Sequence, residues 1–145
     1  MTVNFIKLSE NAIIPTYGTP FAAGADLYAL PEGDIVVNAG ETVMIHTGIA
    51  LSIPDGYAGF VFARSGIASR RGLAPSNKVG VIDSDYRGEI MVSIHNHSNI
   101  NQVISSGERI AQLVVMPYIK AEFSECETLD TTERASGGFG STGKK

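Results

Sequence analysis

The chain has 145 residues, 11 Lys and Arg against 15 Asp and Glu, and a net charge of −4 at pH 7; 43% of its residues are hydrophobic and 18% charged. Length and balance describe one globular domain with its own core, and they exclude a disordered chain and the broad basic surface that grips duplex nucleic acid. The single cysteine, Cys126, excludes an intramolecular disulfide framework and a multi-thiolate zinc site, while 16 Gly and 6 Pro favour frequent turns over long helices.

Residues 1–10 carry Lys7 and Glu10 among apolar residues without the long apolar core of an export signal. No stretch approaches the ~20 apolar residues of a membrane span. The expectation is a soluble intracellular protein with no membrane or nucleic-acid partner. Strands are expected at residues 3–8, 25–30 and 34–37. Residues 42–53 alternate, with Val43, Ile45, Ile49, Leu51 and Ile53 on one side; Thr47 is the polar exception there and Met44 the large apolar exception on the other. Gly48 interrupts this alternation and predicts a bulge or bend. A strand at 57–62 precedes the only expected helix, one or two turns over residues 65–71 with Ser65 as its N-cap. Further strands are expected at 79–82, at 89–96 with Ile90, Val92 and Ile94 on one face, and at 110–116. The last is nearly continuous apolar and reads as covered on both faces.

Turn signals separate these strands: Pro31-Glu32-Gly33, Asn38-Ala39-Gly40, Pro54-Asp55-Gly56 and Ser105-Ser106-Gly107. The pattern predicts an all-β barrel or sandwich with one short helix; a doubly wound fold would need several amphipathic helices. The division expected is a barrel over residues 1–126 and a polar C-terminal arm over 127–145.

Several segments carry groups that a packed barrel does not require. The tail Arg134-Ala135-Ser136-Gly137-Gly138-Phe139-Gly140-Ser141-Thr142-Gly143 combines backbone N–H groups free of side chains, two hydroxyls, a guanidinium and a lone aromatic ring. Together these can clamp a ligand with a planar base at one end and phosphates at the other; the same composition also reads as a flexible linker. Ala63-Arg64-Ser65-Gly66 lies at a strand-to-helix junction, where free N–H groups, a hydroxyl and an Arg suit an anion, or simply make a capped helix. Val81-Ile82-Asp83-Ser84-Asp85-Tyr86-Arg87-Gly88 sets two acids and a Tyr in a turn. A carboxylate there can deprotonate water, or merely satisfy turn N–H groups. Asp26 in Gly24-Ala25-Asp26-Leu27 is a single acid beside a strand. Gly107-Glu108-Arg109-Ile110-Ala111-Gln112 opens a strand with an Arg and a Gln that the apolar run leaves unexplained. His95 and His97 can share a strand face, but no third metal ligand is evident. Cys126 has no partner motif and reads as structural.

Taken in this order, the segments resemble the deoxyuridine triphosphate nucleotidohydrolase (dUTPase) family of homotrimers. The motifs are Ala23-Gly24-Ala25-Asp26-Leu27, Arg64-Ser65-Gly66, the stretch from Gly80 to Gly88, the stretch from Gly107 to Gln112, and the arm from Arg134 to Gly143. Two departures are visible: Ala63 stands where the family usually has Pro, and Ala135 where it usually has Gly. The resemblance implies a jelly-roll-like β-barrel whose copies build shared active sites in a homotrimer. It implies hydrolysis of dUTP to dUMP and pyrophosphate with Mg²⁺, which limits uracil in DNA and supplies dUMP for dTMP synthesis. It places such an enzyme in the cytoplasm or, depending on the host, in the nucleus or a virus-infected cell. Asp83 would be the general base for the attacking water and Tyr86 would pack on the deoxyribose. Asn77 would contact uracil, with selection by a hairpin backbone. Arg64, Ser65, Gly66 and Gln112 would hold phosphates, and Asp26 would reach Mg²⁺ through water. Arg134, Phe139, Gly140, Ser141 and Thr142 would form the closing arm. A deoxycytidine triphosphate deaminase of the same fold and a non-catalytic trimeric regulatory module are the competing readings.

Overall fold

The computed structural model describes residues 1–30 and 32–138. Among them the chain forms eleven strands and one helix: β1 (Asn4–Lys7), β2 (Thr16–Tyr17), β3 (Ala25–Tyr28), β4 (Ile35–Val37), β5 (Thr42–Ser52), β6 (Tyr57–Phe62), α1 (Ser65–Arg71), β7 (Leu73–Pro75), β8 (Gly80–Ile82), β9 (Glu89–Asn96), β10 (Gln102–Ile104) and β11 (Arg109–Pro117). A four-stranded sheet has the order β1-β5-β9-β7 and a five-stranded sheet the order β2-β3-β11-β6-β8; β4 and β10 form a two-stranded ribbon. The pairings are antiparallel. This is the all-β architecture that the alternating pattern predicts, in the jelly-roll-like form that the resemblance implies. Among the described residues no helix is long and apolar enough to cross a membrane.

The period-two pattern builds the core directly. Ile45 and Ile49 of β5, Ile94 of β9, Leu27 of β3 and Ile110 of β11 are at most 1% exposed and join one apolar cluster between the sheets. Side chains of this size contribute roughly 1.5–3 kcal/mol each when fully buried. In β5 the alternation breaks where expected. The register with β9 shifts between His46 and Ala50, and Gly48 takes φ of 68°. A Cβ there would also lie 2.9 Å from Ala12 Cβ and Leu30 Cδ1, so the bulge requires glycine on two counts.

One buried polar residue ties the ribbon to the four-stranded sheet. Asn96 is fully buried; its amide donates to the carbonyls of Val37 at 2.9 Å, Asn38 at 3.2 Å and Ile100 at 2.8 Å, and its oxygen accepts from Ser98 N at 3.0 Å and Ser98 Oγ at 2.7 Å. Asn96→Ala would strand these groups and leave a cavity. The expected loss is about 2–4 kcal/mol, read as a lower urea midpoint at unchanged slope.

Four expectations change. β2, β7 and β10 are two or three residues long, too short for the alternation to show, and were not anticipated. β11 is not covered on both faces: Val115 packs against the core, but Val114 and Met116, on the other face, are only half-buried. Arg64, extended at φ −88° and ψ 128°, is the N-cap of α1, so Ser65 is instead the first helical residue and its hydroxyl is not spent on capping. Cys126 is exposed, in a segment over residues 118–138 without strand or helix, and is not a core residue.

Candidate active site

The segments singled out above fall into two groups. The first lies on the outer face of the five-stranded sheet. Asp26 of β3 sits directly across from Gln112 of β11, which sits across from Phe62 of β6, so their side chains share a face. Two residues past Phe62 the chain reaches Arg64. Its Nε donates to Asp26 Oδ1 at 2.7 Å and its Nη1 to the Arg109 carbonyl at 3.2 Å. Arg109 donates to the other oxygen, Asp26 Oδ2, at 3.1 Å. The bulge between Arg109 and Ala111 in the β11–β3 pairing turns Arg109 toward the acid. Asp26, 9% exposed, therefore holds two guanidinium groups beside the first turn of α1.

Gln112 donates through Nε2 to the Ala63 carbonyl at 2.9 Å. It lies so close to Gly24 that a Cβ there would approach its Cβ and Cδ to 3.2 Å. Gly24 thus makes room for Gln112, and Gln112 fixes the backbone just before Arg64. At Ala63 only the carbonyl is used, so the absence of the usual Pro removes no group from this network. Arg71, at the far end of α1, bonds to Gln102 Oε1 at 3.1 Å and pairs with Glu108 and the Val103 carbonyl, anchoring the helix.

The second group surrounds a cavity of about 260 Å³ whose walls include Asn77, Asp83, Tyr86, Glu89, Met44 and Met91. Met44 and Met91 belong to the outer face of the four-stranded sheet, and the chain from β7 to β9 curls over them. This chain is not a paired hairpin. β7 bonds to β9 and β8 to β6, so residues 76–79 carry the backbone from one sheet to the other. The crossing requires a tight turn, in which Lys78 takes φ of 67° and bonds to the Pro75 carbonyl at 3.0 Å. The next loop, residues 83–88, is closed by Tyr86 N donating to the Asp83 carbonyl at 3.2 Å. Arg87 Nη1 reaches the carbonyls of Ser84 at 2.6 Å and Tyr86 at 2.9 Å. Asp83 is exposed at the loop's start, and among the described residues its carboxylate has no hydrogen-bond donor. Tyr86 Oη donates to the Glu89 carbonyl at 3.0 Å.

Glu89 was not anticipated as part of the site. Its Oε2 meets His46 Nδ1 at 2.8 Å, and its Oε1 accepts from Thr47 N at 3.1 Å and Gly48 N at 2.7 Å. Burial opposes its charge, but the bonds from His46, Gly48 and Thr47 outweigh that and hold its carboxyl below the ordinary value. A depressed folded-state value stabilises the fold above the unfolded chain's value of about 4.3, and the gain disappears as acid protonates the folded carboxylate. Glu89→Gln lacks this ionisation. The stability gap between wild type and Glu89→Gln is therefore expected to move against the wild type as pH falls from about 6 to about 3, in paired thermal melts.

His95 and His97 stack edge to face at 4.4 Å, and His95 Nδ1 is bonded to Thr42 Oγ1 at 2.8 Å. Burial, with His95 and Lys78 nearby, lowers the His97 value. Arg134, in the arm, is exposed; its Nε donates to the Gly137 carbonyl at 2.9 Å across a turn in which Ala135 takes φ of 42°. That conformation costs a non-glycine residue ~1–2 kcal/mol, so the Ala in place of the usual Gly carries strain. Phe139, Gly140, Ser141 and Thr142 lie outside the described residues. Arg109 was visible in the sequence only as an unexplained charge opening an apolar strand. Glu89 gave no signal, because its partners across the sheet appear only with the register.

For Mg²⁺, the described residues include no group of three or more His, Cys, Asp or Glu placed to hold an ion. Asp26 is the acid beside the guanidinium pair. Its carboxylate has about four lone-pair positions, of which the two arginines use two. That donor set fits an ion carried by phosphate oxygens and water, which is how Mg²⁺ is usually held.

The dUTPase family model matches residues 10–143. The deoxyuridine 5'-triphosphate nucleotidohydrolase of Syntrophotalea carbinolica is 48% identical over 143 residues, covering 99% of this chain and 97% of that protein. The one from Desulfitobacterium hafniense is 46% identical over 142 residues, covering 97% and 94%. Among solved structures, the dUTPase of Staphylococcus bacteriophage 80alpha with dUPNHPP superposes with a TM-score of 0.89 at 30% identity, covering 99% of both chains. A dUTPase mutant from phage phi11 of S. aureus, solved with a structural Mg(II) ion, superposes with a TM-score of 0.79 at 28% identity, covering 88% of this chain and 98% of that one. A family match over nearly the whole length, on the sheets and motifs just described, means that the chain belongs to the dUTPase family.

Proposed function

We propose that the protein hydrolyses dUTP to dUMP and pyrophosphate. The observation that carries this is the cavity that gathers Asn77, Asp83 and Tyr86 from one stretch of chain, with an acid open to solvent at its edge. Attack on phosphorus needs an in-line water and charge stabilisation rather than a covalent nucleophile. Asp83 is suited to take the proton of that water, since none of its lone pairs is used within the described residues. Asn77 and the crossing backbone of residues 77–82 offer donors and acceptors for a uracil edge. A cytosine amine in place of the carbonyl would set donor against donor, which is costly once water is excluded. Tyr86 forms the wall for the deoxyribose.

Arg64, Ser65 and Gly66 supply charge and donors for the phosphates, with Asp26 and Arg109 orienting Arg64 and Gln112 fixing its backbone. Asp26 would reach a Mg²⁺ ion through water, and the ion would supply charge neutralisation for the triphosphate. Asp26, Arg64, Arg109 and Gln112 do not line the nucleoside cavity, which lies between the outer face of the four-stranded sheet and the β6–β8 edge of the other. On this reading a neighbouring subunit of a homotrimer brings the two together. The half-buried Val114 and Met116 on the outer face of β11 are compatible with such contacts. The arm over residues 127–145, separate from the barrel over 1–126, would close the site with Arg134 and Phe139, Gly140, Ser141 and Thr142. The enzyme would work inside the cell, where dUTP arises.

The test is to assay pyrophosphate and ammonia together from dUTP and dCTP, with Mg²⁺ and with chelator. Pyrophosphate from dUTP, suppressed by chelator, is expected. Ammonia from dCTP would replace hydrolysis with deamination, and neither product would leave a binding module.

A further inference from the structure

We infer that Glu89 is a positioning residue for the sugar side of this site: through its own backbone it holds Tyr86 in place. The inference rests on the reading of the cavity as a deoxynucleotide pocket. The loop over residues 83–88 has two anchors. At the Asp83 end, β8 pairs with β6, with Ile82 across from Gly59. At the other end the first residue of β9 is Glu89, which pairs with Ala50 of β5 on the far side of a register shift from the His46–Met91 pair. The N–H groups of Thr47 and Gly48, displaced by the bulge, are taken instead by Glu89 Oε1, while His46 Nδ1 meets Oε2. The carboxylate takes the N–H groups that the bulge removes from the ladder and adds a second tie between the start of β9 and β5. A carboxylate accepting several N–H groups is a strong tether.

The Glu89 carbonyl carries that fixation into the pocket. It accepts Tyr86 Oη at 3.0 Å. The ring is folded tightly back over the loop, and a Cβ at Gly88 would come within 2.6 Å of Tyr86 Cζ. With the hydroxyl tied to Glu89 and the ring seated on Gly88, Tyr86 cannot recede from a sugar against its face. A purely structural Glu89 would end its work at the bulge. The Tyr86 bond extends that work to discrimination between deoxyribose and ribose, because a 2′-hydroxyl fits only if the ring moves away.

The experiment measures kcat and KM for dUTP and UTP by pyrophosphate release in the full chain, with thermal melts alongside, for wild type, Glu89→Ala, Glu89→Gln and Tyr86→Phe. Glu89→Ala is expected to lower the dUTP-over-UTP ratio of kcat/KM about tenfold, mainly through KM. Glu89→Gln, whose amide oxygen still accepts from Thr47 and Gly48, should recover most of that loss. Tyr86→Phe removes only the Oη bond and should lower the ratio in the same direction, which keeps the test decisive if Glu89→Ala does not fold. A wild-type ratio in Tyr86→Phe, or in a folded Glu89→Ala that only melts lower, overturns the inference. No hydrolysis of either nucleotide by the wild type overturns the functional reading, and this inference with it.

Discussion

Asp83→Asn is expected to slow dUTP turnover by about 10²–10⁴-fold, the usual worth of a general base, while nucleotide affinity changes little. The amide has the shape of the carboxylate but no longer accepts a proton from water. Asp83 suits so clean a test because it is exposed at the start of its loop and its carboxylate has no hydrogen-bond partner among the described residues. The loop is closed instead by Tyr86 N on the Asp83 carbonyl and by Arg87 on two further carbonyls. The substitution should therefore leave the melting temperature unchanged. The loss should lie in kcat rather than in KM, because the acid acts on the water and not on the nucleotide. Titration calorimetry with a non-hydrolysable dUTP analogue checks the affinity, and stopped-flow pyrophosphate release checks the rate. Turnover above half of wild type would remove Asp83 from the mechanism.

Asp26→Ala is expected to damage stability and activity together. It leaves Arg64 and Arg109 without their shared carboxylate in a partly buried setting. Removing one member of a buried ion pair costs ~3–5 kcal/mol, and the exposure of Arg109 reduces that to about 2–4 kcal/mol here. Arg64 then loses the contact that fixes its guanidinium plane, and a bidentate phosphate donor without a fixed plane loses most of its value. The expected result is a KM for dUTP raised at least about tenfold, together with a lower urea midpoint. Asp26→Asn keeps one acceptor and should fall between wild type and Asp26→Ala in both measurements. A normal KM in a destabilised Asp26→Ala would assign the acid to folding alone.

Strands that obey one physical rule over many residues were readable in advance. β6, α1 and β9 lie at the residues expected, and β5 within one residue, because alternation or a turn signal runs through each of them. The bulge at Gly48 was likewise visible as a glycine inside an apolar strand. What escaped depends on partners distant in sequence. β2, β7 and β10 exist because a neighbouring strand offers hydrogen bonds, and their own residues show no period. The segment after β7 has hairpin-like turn residues, yet it crosses between sheets, since pairing partners are chosen by the whole fold. In the site, Asp26, Arg64 and Gln112 stood out one by one as polar groups without a structural reason. Only the register of β3, β11 and β6 makes them a network. It also shifts emphasis within the network: Gln112 grips the Ala63 carbonyl, and Asp26 is already occupied by two arginines. Ala135 is the converse case. The sequence shows only an Ala where the family usually has Gly, and the φ of 42° adds that this Ala takes a conformation that favours glycine.

The central claim is that the cavity holding Asn77, Asp83 and Tyr86 selects a uracil deoxynucleotide for hydrolysis. Its most direct test is kcat/KM for pyrophosphate release from dUTP, dTTP, dCTP and UTP, measured on the intact chain with Mg²⁺. The account predicts that dUTP is preferred over each of the others by about a hundredfold or more, since each carries a methyl, an amine or a 2′-hydroxyl that the pocket must exclude. Comparable values for all four nucleotides would contradict it.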